Sequence, residues 1–420
     1  MSALTRQFKL MSGLSRNARL FLAVTAISAL GNGILWLFLN LFILARGNDE
    51  AFLGLLMSLM SLSALVLGLP MGLLADRLSR KHGLLLGMTL SGAAIGWLLL
   101  AGADWLLLLA AGALGAGTAL CMATAPAFMA ENAAAEERAT LFSLQSGVAT
   151  FAAFAGSAAA GPLPRLLGGL MNAPAESAAA YRATLLIAVG AMAASVVPLL
   201  LVRESPRQRT TPADRSALSL RTLPLRLDVA RLLLPELLLG LGAALLIPYL
   251  NIFFKQRFAI TDSLLGLIFA ASQLIVGCGT LAAPLLAERW GKIRTVVLTE
   301  LASLPFLMAL GFVPLLPVAT AAFWLRGMLM NMGGPLYAAF AMEQAHEDER
   351  ATVGVMLGLV WSVGEGVGPG ISGLVQRSVG FTPLFLATAA IYLVSALCLQ
   401  AFFGQKEKQP APQPESLLAR

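Results

Sequence analysis

Long runs of apolar residues, separated by short polar segments, dominate the chain. The first run extends from Leu20 to Leu44 without the polar stripe that a soluble core helix shows at every turn. Twelve such runs begin near Leu20, Phe52, Leu84, Trp105, Ala139, Ala179, Leu232, Ser263, Thr295, Leu316, Ala351 and Phe381. At about 20 residues per bilayer crossing, this pattern predicts an all-α membrane protein with twelve transmembrane helices.

Composition supports a membrane protein and argues against several other classes. Of the 420 residues, 58% are hydrophobic and 12% are charged, about half the ~25% charged content of a soluble domain. The net charge of +7 does not indicate nucleic-acid binding, because no basic stretch is interleaved with aromatic residues. The three cysteines lie within apolar runs without C-x-x-C spacing, so we expect no disulfide framework, no metal site and no cofactor.

The distribution of basic residues predicts the orientation in the membrane. The two tails and alternate loops contain 22 of the 29 lysines and arginines, whereas the opposite loops contain six. Cationic segments are retained in the cytoplasm during insertion, so both termini are predicted to be cytoplasmic. The first apolar run is too long for a signal peptide and is expected to remain as the first span. We therefore expect a multi-pass protein of the cell (inner or plasma) membrane.

The predicted domains follow from the longest polar segment, which lies midway along the chain. The segments are a cytoplasmic tail (1–19), a six-helix bundle (20–202), a cytoplasmic linker (203–231), a second six-helix bundle (232–404) and a disordered cytoplasmic tail (405–420). The linker contains seven arginines and three prolines. It is interpreted either as a solvated loop or as a regulatory or lipid-binding segment.

The two predicted bundles are related in sequence at an offset of 211 or 212 residues. Four segments of the first half align with four of the second: 39–42 with 250–253, 53–55 with 265–267, 73–77 with 285–289, and 137–140 with 349–352. Six spans per repeat give both copies the same orientation. The halves are therefore predicted to be parallel repeats about an axis along the membrane normal, with a path between them.

The loop after the second span contains Gly72, Asp76, Arg77, Arg80 and Lys81. It resembles the G-x-x-x-D-R-x-G-R-K signature of the major facilitator superfamily, with Ser79 in place of the usual glycine. The resemblance implies the fold of that superfamily, with twelve transmembrane helices in two parallel six-helix repeats. It also implies that Asp76 faces the N-terminal dipole of the eleventh span when the cytoplasmic side is closed. The alternative is an ordinary basic cytoplasmic loop.

An E-x6-R spacing occurs after the fourth span, at Glu131 and Arg138, and again after the tenth, at Glu343 and Arg350. This spacing resembles the sugar porters of the same superfamily and implies cytoplasmic ion-pair clusters, completed by Arg77 in one half and Arg289 in the other. The alternative is simple solvation of the helix ends. The predicted cytoplasmic gating residues are Gly72, Asp76, Arg77, Arg80, Lys81, Glu131, Arg138, Glu288, Arg289, Glu343 and Arg350.

Glycine and proline recur in the fifth and eleventh spans. Gly161-Pro162 and Gly368-Pro369 are predicted to kink these helices. The glycines of the fifth span resemble the antiporter motif G-x8-G-x3-G-P-x-x-G-G, although the second gap is four residues and the final glycine pair is missing. The alternative is that these glycines only allow close helix packing.

Charged residues inside the membrane indicate function, because each costs about 2.5 kcal/mol or more at mid-depth unless it is paired or hydrated. Arg326 and Glu365 are predicted near the midplane, as neighbours facing a cavity where Glu365 exchanges protons, or else as a static ion pair. Glu236 and Glu300 are expected to reach water near the cytoplasmic helix ends. The predicted substrate and proton pathway comprises Arg326, Glu365, Asn331, Asn40, Asn251 and Gln273, although such amides also join helices.

These features predict a secondary transporter. The chain has no G-x-x-x-x-G-K-[ST] loop for ATP, and a proton crossing 100 mV releases about 2.3 kcal/mol. We expect proton-coupled export of small molecules by alternating access. The first half has no midplane charge, which predicts one apolar wall and an amphiphilic substrate.

The alternatives are import by symport, translocation of a lipid or lysolipid, and a non-transporting receptor or scaffold. An enzyme is not expected, because the only histidines, His82 and His346, fall in cytoplasmic loops. The expected partners are the substrate, protons and membrane lipids, with no nucleic acid, and the chain is expected to be monomeric.

Overall fold

A computed structural model describes residues 14–133, 137–203, 227–345 and 349–404 of the chain. The structure does not describe the first thirteen residues, most of the predicted linker, His346 or any of the predicted C-terminal tail. The predictions about those segments are therefore not addressed by the structure.

Within the described ranges the fold consists of helices, which confirms the predicted all-α class. Twelve long helices follow one another: α1 Arg16–Ala45, α2 Glu50–Arg77, α3 Arg80–Leu100, α4 Asp104–Glu131, α5 Arg138–Ala160, α6 Ala178–Leu200, α7 Leu227–Leu246 continued by Leu250–Phe258, α8 Asp262–Trp290, α9 Lys292–Phe312, α10 Leu316–Gln344, α11 Arg350–Val379 and α12 Thr382–Phe403. A short helix, Leu163–Leu170, lies between α5 and α6. A 3-10 turn, Ile247–Tyr249, interrupts α7.

Length and composition agree with twelve membrane crossings. Among the described residues, eleven helices are long and apolar enough to span a bilayer. The remaining long helix, α10, has 29 residues but contains Arg326 and Asn331 within its apolar sequence. At about 1.5 Å per residue it is also long enough to cross.

The turn between α2 and α3 explains the departure from the family signature at Ser79. The Ser79 side chain caps α3 by accepting a hydrogen bond from the backbone N–H of His82 at 3.3 Å. The equivalent turn between α8 and α9 has Gly291 with φ of 88°, a left-handed conformation that favours glycine. The two repeats therefore make the same turn with different backbone conformations.

The helices form two compact units. The first comprises Met1–Thr210, Ala243–Leu274 and Glu365–Leu384; the second comprises Thr211–Gly242, Ile275–Gly364 and Phe385–Arg420. In the first unit, α1 packs against α5 and α6, while α2 and α3 pack against α4. In the second unit, α9 packs against α10. Because the unit boundaries fall within α7, α8, α11 and α12, the boundaries of the six-helix bundles stay a prediction.

Candidate functional site

Two buried asparagines hold α1 and α7 together in the first unit. Asn40 and Asn251 are each 2% exposed, and Asn40 Nδ2 lies 3.3 Å from Asn251 Oδ1. Each amide also donates to a backbone carbonyl of the other helix: Asn40 to Pro248 at 2.5 Å and Asn251 to Leu37 at 2.9 Å. The two residues are 211 positions apart, so they are equivalent in the sequence repeat. They therefore make the same contact in both directions.

A cavity of about 210 Å³ lies beside this amide pair, also within the first unit. Its lining comes from α1, α5, α7 and α8: Asn32, Gly33, Trp36, Leu37, Ala153, Ser157, Ile247, Pro248, Asn251, Phe269 and Gln273. The lining contains amide groups, a hydroxyl and two aromatic side chains, but no ionisable side chain. Such walls suit a neutral molecule with an aromatic face and several hydrogen-bonding groups.

The structure brings together only some of the predicted pathway residues. Asn251 and Gln273 line the same cavity, and Asn40 is hydrogen-bonded to Asn251. Asn331 lies in the second unit and donates to the Gly327 carbonyl of its own helix at 2.8 Å.

The first-half side of this cavity is uncharged but not wholly apolar, because α1 and α5 contribute Asn32 and Ser157, and the predicted apolar wall of the transport path stays a prediction. Both are short polar residues inside long apolar runs, where average hydropathy conceals them. Sequence reasoning also missed the aromatic residues Trp36 and Phe269, since non-local packing alone distinguishes them from other apolar positions.

Close contacts at glycines join helices of the first unit at the ends that are predicted to face outward. At Gly161, a Cβ would lie 2.9 Å from Ser263 Cα, and at Gly266 it would lie 2.8 Å from the Ser157 carbonyl oxygen. The equivalent glycines, Gly54 and Gly373, meet each other in the same way between α2 and α11. Only glycine permits backbones to approach this closely.

The predicted kinks are only partly as expected. Pro369 lies inside α11. In contrast, α5 ends at Ala160, and Gly161 and Pro162 form the junction to the short helix Leu163–Leu170. A helix tends to end before proline, because proline lacks an N–H and restricts the preceding residue.

A buried ionic cluster at the same end of the first unit was not predicted. Lys255 Nζ lies 2.7 Å from Asp262 Oδ1 and 2.5 Å from Glu176 Oε1, and the Lys255 and Asp262 side chains are 11% and 5% exposed. The Tyr181 hydroxyl lies 3.2 Å from the same Asp262 oxygen. The cluster joins the first half, through Glu176 and Tyr181, to the second half. Its members are far apart in sequence, so no local motif indicates it.

The predicted gating residues form ion pairs, but with different partners. Glu131 pairs with Arg80 at 2.9 Å rather than with Arg77, and Glu343 pairs with Lys292 rather than with Arg289. The physical reason is that Arg80 and Lys292 begin α3 and α9, and these helices pack against α4 and α10, which end near Glu131 and Glu343.

The arginines of the E-x6-R spacing donate hydrogen bonds to carbonyls in the last turn of a helix in their own repeat. Arg138 Nε donates to the Ala130 carbonyl, and Arg350 Nε donates to the Met342 carbonyl, both at 3.1 Å. Basic side chains commonly satisfy carbonyls in the last turn of a helix. In the signature loop, Arg80 also lies 3.7 Å from Asp76, and Lys81 donates to the Leu200 carbonyl at 2.7 Å. The gating roles of Gly72, Glu288 and the other predicted residues stay predictions.

A family model describes most of the chain. The model of the Major Facilitator Superfamily matches residues 21–369 and 232–418. The chain belongs to this superfamily. This membership confirms the predicted resemblance and fold, so the protein is a multi-pass membrane protein of the superfamily.

Several superfamily members resemble the chain. The "MFS-type transporter SLC18B1" of Mus musculus is 25% identical over 234 residues, covering 52% of this chain and 50% of that protein. The Homo sapiens protein of the same name is 24% identical over 233 residues, covering 52% and 50%. The chain thus spans about half the length of these relatives.

Three solved structures share the superfamily fold. A bacterial homologue of the human lysosomal transporter Spinster, inward-facing and occupied, has a TM-score of 0.75 at 17% identity and covers 98% of this chain and 100% of its own. Nucleoside transporter NupG has a TM-score of 0.73 at 16% identity, covering 94% and 100%. A D-xylose-proton symporter has a TM-score of 0.70 at 15% identity, covering 92% and 97%.

The intramembrane charges of this superfamily member lie in both units. In the second unit, Arg326 is 5% exposed and donates from Nη2 to the Tyr392 hydroxyl at 2.7 Å. Glu300 is 4% exposed, so the expectation that it reaches water near a helix end is wrong. The physical reason is that α9 begins at Lys292, which places Glu300 about 12 Å along the helix. Glu365 is exposed and belongs to the first unit, and its pairing with Arg326 stays a prediction.

Proposed function

We propose that the protein exports small, neutral ring compounds with hydrogen-bonding groups by proton-coupled alternating access. The observation that carries this proposal is the uncharged cavity formed by α1, α5, α7 and α8. Helices of both repeats contribute to it, as expected for a substrate site between the halves of a transporter. The cavity also lies beside the amide pair and the glycine contacts that join the repeats.

The size of the cavity restricts the substrate. Its volume of about 210 Å³ is below the ~300–1,000 Å³ typical of clefts for drug-sized ligands. A ring with polar substituents fits this space better than a molecule with a long acyl chain. The cavity therefore favours small-molecule transport over translocation of a lysolipid.

The chemistry of the walls indicates how such a substrate is held. Trp36 and Phe269 offer ring faces for stacking, whereas Asn32 and Gln273 offer both donors and acceptors. A buried ionic group would find no opposite charge there and would be costly to bind. The relatives that transport a nucleoside or a sugar, named by the NupG and D-xylose-proton symporter structures, handle polar ring compounds of this general kind.

Transport by the purified full-length protein in liposomes tests the proposal. Three probes are supplied under an imposed pH gradient: uridine as a neutral polar ring, tetraphenylphosphonium as a lipophilic cation, and a lysophosphatidylcholine. We expect a gradient-driven accumulation of uridine that exceeds that of the other two. Uptake of none of the probes, or uptake that ignores the pH gradient, contradicts the proposal. Preference for the lysolipid supports lipid translocation instead.

Paired tryptophan variants locate the site. Trp36 is 52% exposed and lines the cavity, whereas Trp97 is 55% exposed and lies on α3 away from the lining. Removal of a stacking ring costs on the order of 1 kcal/mol or more. We expect Trp36→Ala to weaken uptake at least about fivefold and Trp97→Ala to leave it unchanged. Equal effects of the two variants refute the assignment of the cavity. Glu365→Gln tests the predicted role of Glu365 in the same assay.

A further inference from the structure

The short helix Leu163–Leu170 is apolar on two opposite faces. Pro164 and Gly168 are buried, and the helix packs against α6. Leu166 and Leu170, about 200° around the helix from these two residues, are 60% and 81% exposed. A surface helix in water instead has polar residues opposite its buried face. Leu166 and Leu170, which we call the outer stripe, therefore need an apolar cover.

The turn after the short helix fixes the direction of the outer stripe. The Met171 N–H donates to the Leu167 carbonyl at 3.1 Å, and the Ala173 N–H donates to the Gly168 carbonyl at 2.9 Å. Asn172 has a φ of 54°, the left-handed conformation that commonly ends a helix. The exposed leucines thus belong to a capped helix with a defined outer surface.

The equivalent connection in the second repeat shows that this helix is not needed to join two spans. There α11 continues to Val379, and only Gly380 and Phe381 precede α12. In the first repeat, residues 161–177 connect α5 to α6 and contain the short helix. The additional segment is therefore free to serve another purpose.

The short helix connects two bilayer crossings at the end predicted to face outward. It follows the end of α5 at Ala160 and precedes the start of α6 at Ala178, and both of these helices are apolar enough to span a bilayer. The α6 helix, against which it packs, exposes Leu186 and Ile187, as expected for a span that faces lipid. Lipid is therefore the apolar surface within reach of the outer stripe.

Arg165 places a cation beside the outer stripe. Its side chain is exposed, and no ion pair or hydrogen bond joins its guanidinium to another side chain in the part of the chain that the structure describes. A guanidinium binds phosphate with two parallel hydrogen bonds. Apolar side chains flanked by a basic residue are typical of helices that lie in the membrane interface. The charge thus favours a phospholipid over an uncharged apolar partner.

We propose that the short helix Leu163–Leu170 binds the lipid of the outer leaflet. Leu166 and Leu170 insert at the boundary between acyl chains and headgroups, and Arg165 binds a lipid phosphate. The same segment carries Glu176, whose Oε1 atom lies 2.5 Å from Lys255 Nζ at the start of the second half. The bilayer thereby holds Glu176 against Lys255 and favours closure of the outward ends, whichever substrate the protein transports.

Spin labels on the purified full-length protein in liposomes test the lipid contact. The background replaces Cys121, Cys278 and Cys398 by serine, and Leu166→Cys or Leu170→Cys carries the nitroxide. The liposomes contain phosphatidylcholine and phosphatidylglycerol. Oxygen is concentrated among acyl chains, whereas a nickel chelate stays in water, so the ratio of the two accessibilities reports depth in the membrane.

Two control positions calibrate this ratio. Leu186→Cys lies within α6 on its exposed surface, and Asp104→Cys lies at the exposed start of α4 in another outer loop. We expect both labels of the outer stripe to favour oxygen, as Leu186→Cys does, and Asp104→Cys to favour the nickel chelate. Arg165→Gln should shift the ratio at Leu170→Cys towards water.

Three results overturn the proposal. The first is a ratio at both stripe positions equal to that of Asp104→Cys. The second is low accessibility to both reagents together with dipolar broadening between labels, because a second copy of the chain then covers the stripe. The third, an unchanged ratio in Arg165→Gln, overturns the phosphate contact. Size-exclusion profiles identify a label that disturbs folding, and the other stripe position then provides the test.

Alkylation of a cavity thiol at Ala153→Cys, in the same background, tests the effect on closure. We expect Leu170→Ser to speed labelling from the predicted outer side about two- to fivefold, the effect of losing one exposed ion pair. Leu100→Ser is the matched control, since Leu100 is 70% exposed at the end of α3 on the same side. Leu170→Ser should add nothing to Glu176→Gln. Equal rates for Leu170→Ser and Leu100→Ser overturn the link between lipid contact and closure.

Discussion

Replacement of Gly161 by alanine should weaken the closure of the helix ends predicted to face outward. Gly161 lies where the end of α5 meets the start of α8. A Cβ there would lie 2.9 Å from Ser263 Cα and 3.1 Å from the Asp262 carbonyl oxygen. Both are backbone atoms, so the methyl group cannot be accommodated by a change of rotamer. The two helices have to separate instead.

The magnitude follows from these distances. Carbon atoms pack at about 3.5–4.0 Å, so the helices need to separate by at least about 0.6 Å. Extra methyl groups in well-packed contacts typically cost about 1–3 kcal/mol. If the contact exists only in the outward-closed conformer, the whole cost applies to that conformer. The population of the outward-open conformer should then rise about 5–150-fold.

Alkylation of a cysteine in the cavity measures this shift. The background replaces Cys121, Cys278 and Cys398 by serine, and Ala153→Cys places a thiol in the cavity lining. A membrane-impermeant maleimide added from the predicted outer side should label this thiol faster in Gly161→Ala.

Two further glycines test the reasoning behind that expectation. Gly147→Ala is the matched control on the same helix, because a Cβ there meets no atom within 4 Å. Gly373→Ala, the equivalent change in the second repeat, should act like Gly161→Ala. Equal labelling rates for Gly161→Ala and Gly147→Ala refute the proposed closure.

Three further changes have expected outcomes. Lys255→Met leaves the 5%-exposed Asp262 side chain without its cation, so it should destabilise the protein by about 3–5 kcal/mol and lower the melting temperature. Adding Asp262→Asn to this variant should restore most of the lost stability. A double variant that is no more stable than Lys255→Met would contradict a pairing role. Asn251→Ala removes the buried hydrogen bonds to the Leu37 carbonyl and to Asn40 and should cost about 1–3 kcal/mol, measured as a lower melting temperature together with weaker uridine uptake. Arg80→Gln removes an ion pair whose Glu131 partner is 50% exposed, so stability should change by less than about 1 kcal/mol, and a larger loss of melting temperature would disagree with this assessment.

The fold could be predicted from the sequence because the membrane restricts the structures that the chain can adopt. An apolar run of bilayer length has to become a helix, since lipid offers no partners for backbone polar groups. The offset of 211 or 212 residues predicted the repeats, and Asn40 and Asn251, aligned at that offset, do contact each other. The glycines of α5, noted for their spacing, also form a helix contact at Gly161.

The depth of the buried charges in the membrane was harder to predict from the sequence. Apolar runs mark where lipid contact begins, whereas hydrogen-bonded helices extend into the polar flanks. The ninth run begins near Thr295, but α9 begins at Lys292, and the difference moves Glu300 almost one turn deeper. The partners of Glu131 and Glu343 were also missed, because Arg77 and Arg80 are equally plausible partners until the packing of α3 on α4 is known.

The glycine contacts at the helix ends follow the two-fold sequence repeat. A contact between the repeats about a two-fold axis implies a second contact between the equivalent residues. The pair Gly54 and Gly373 and the pair Gly266 and Gly161 are related in this way at an offset of 212. Both repeats thus contribute a glycine contact of the same kind at the helix ends that are predicted to face outward.

The buried charges do not follow that symmetry. The positions equivalent to Glu236, Glu300 and Arg326 are Thr25, Met88 and Leu114, none of which is ionisable. The first repeat therefore has no ionisable side chain at the positions where the second repeat has Glu236, Glu300 and Arg326. Because Gly161→Ala changes a packing contact and no charge, it should alter the labelling rate of the cavity thiol equally at every pH.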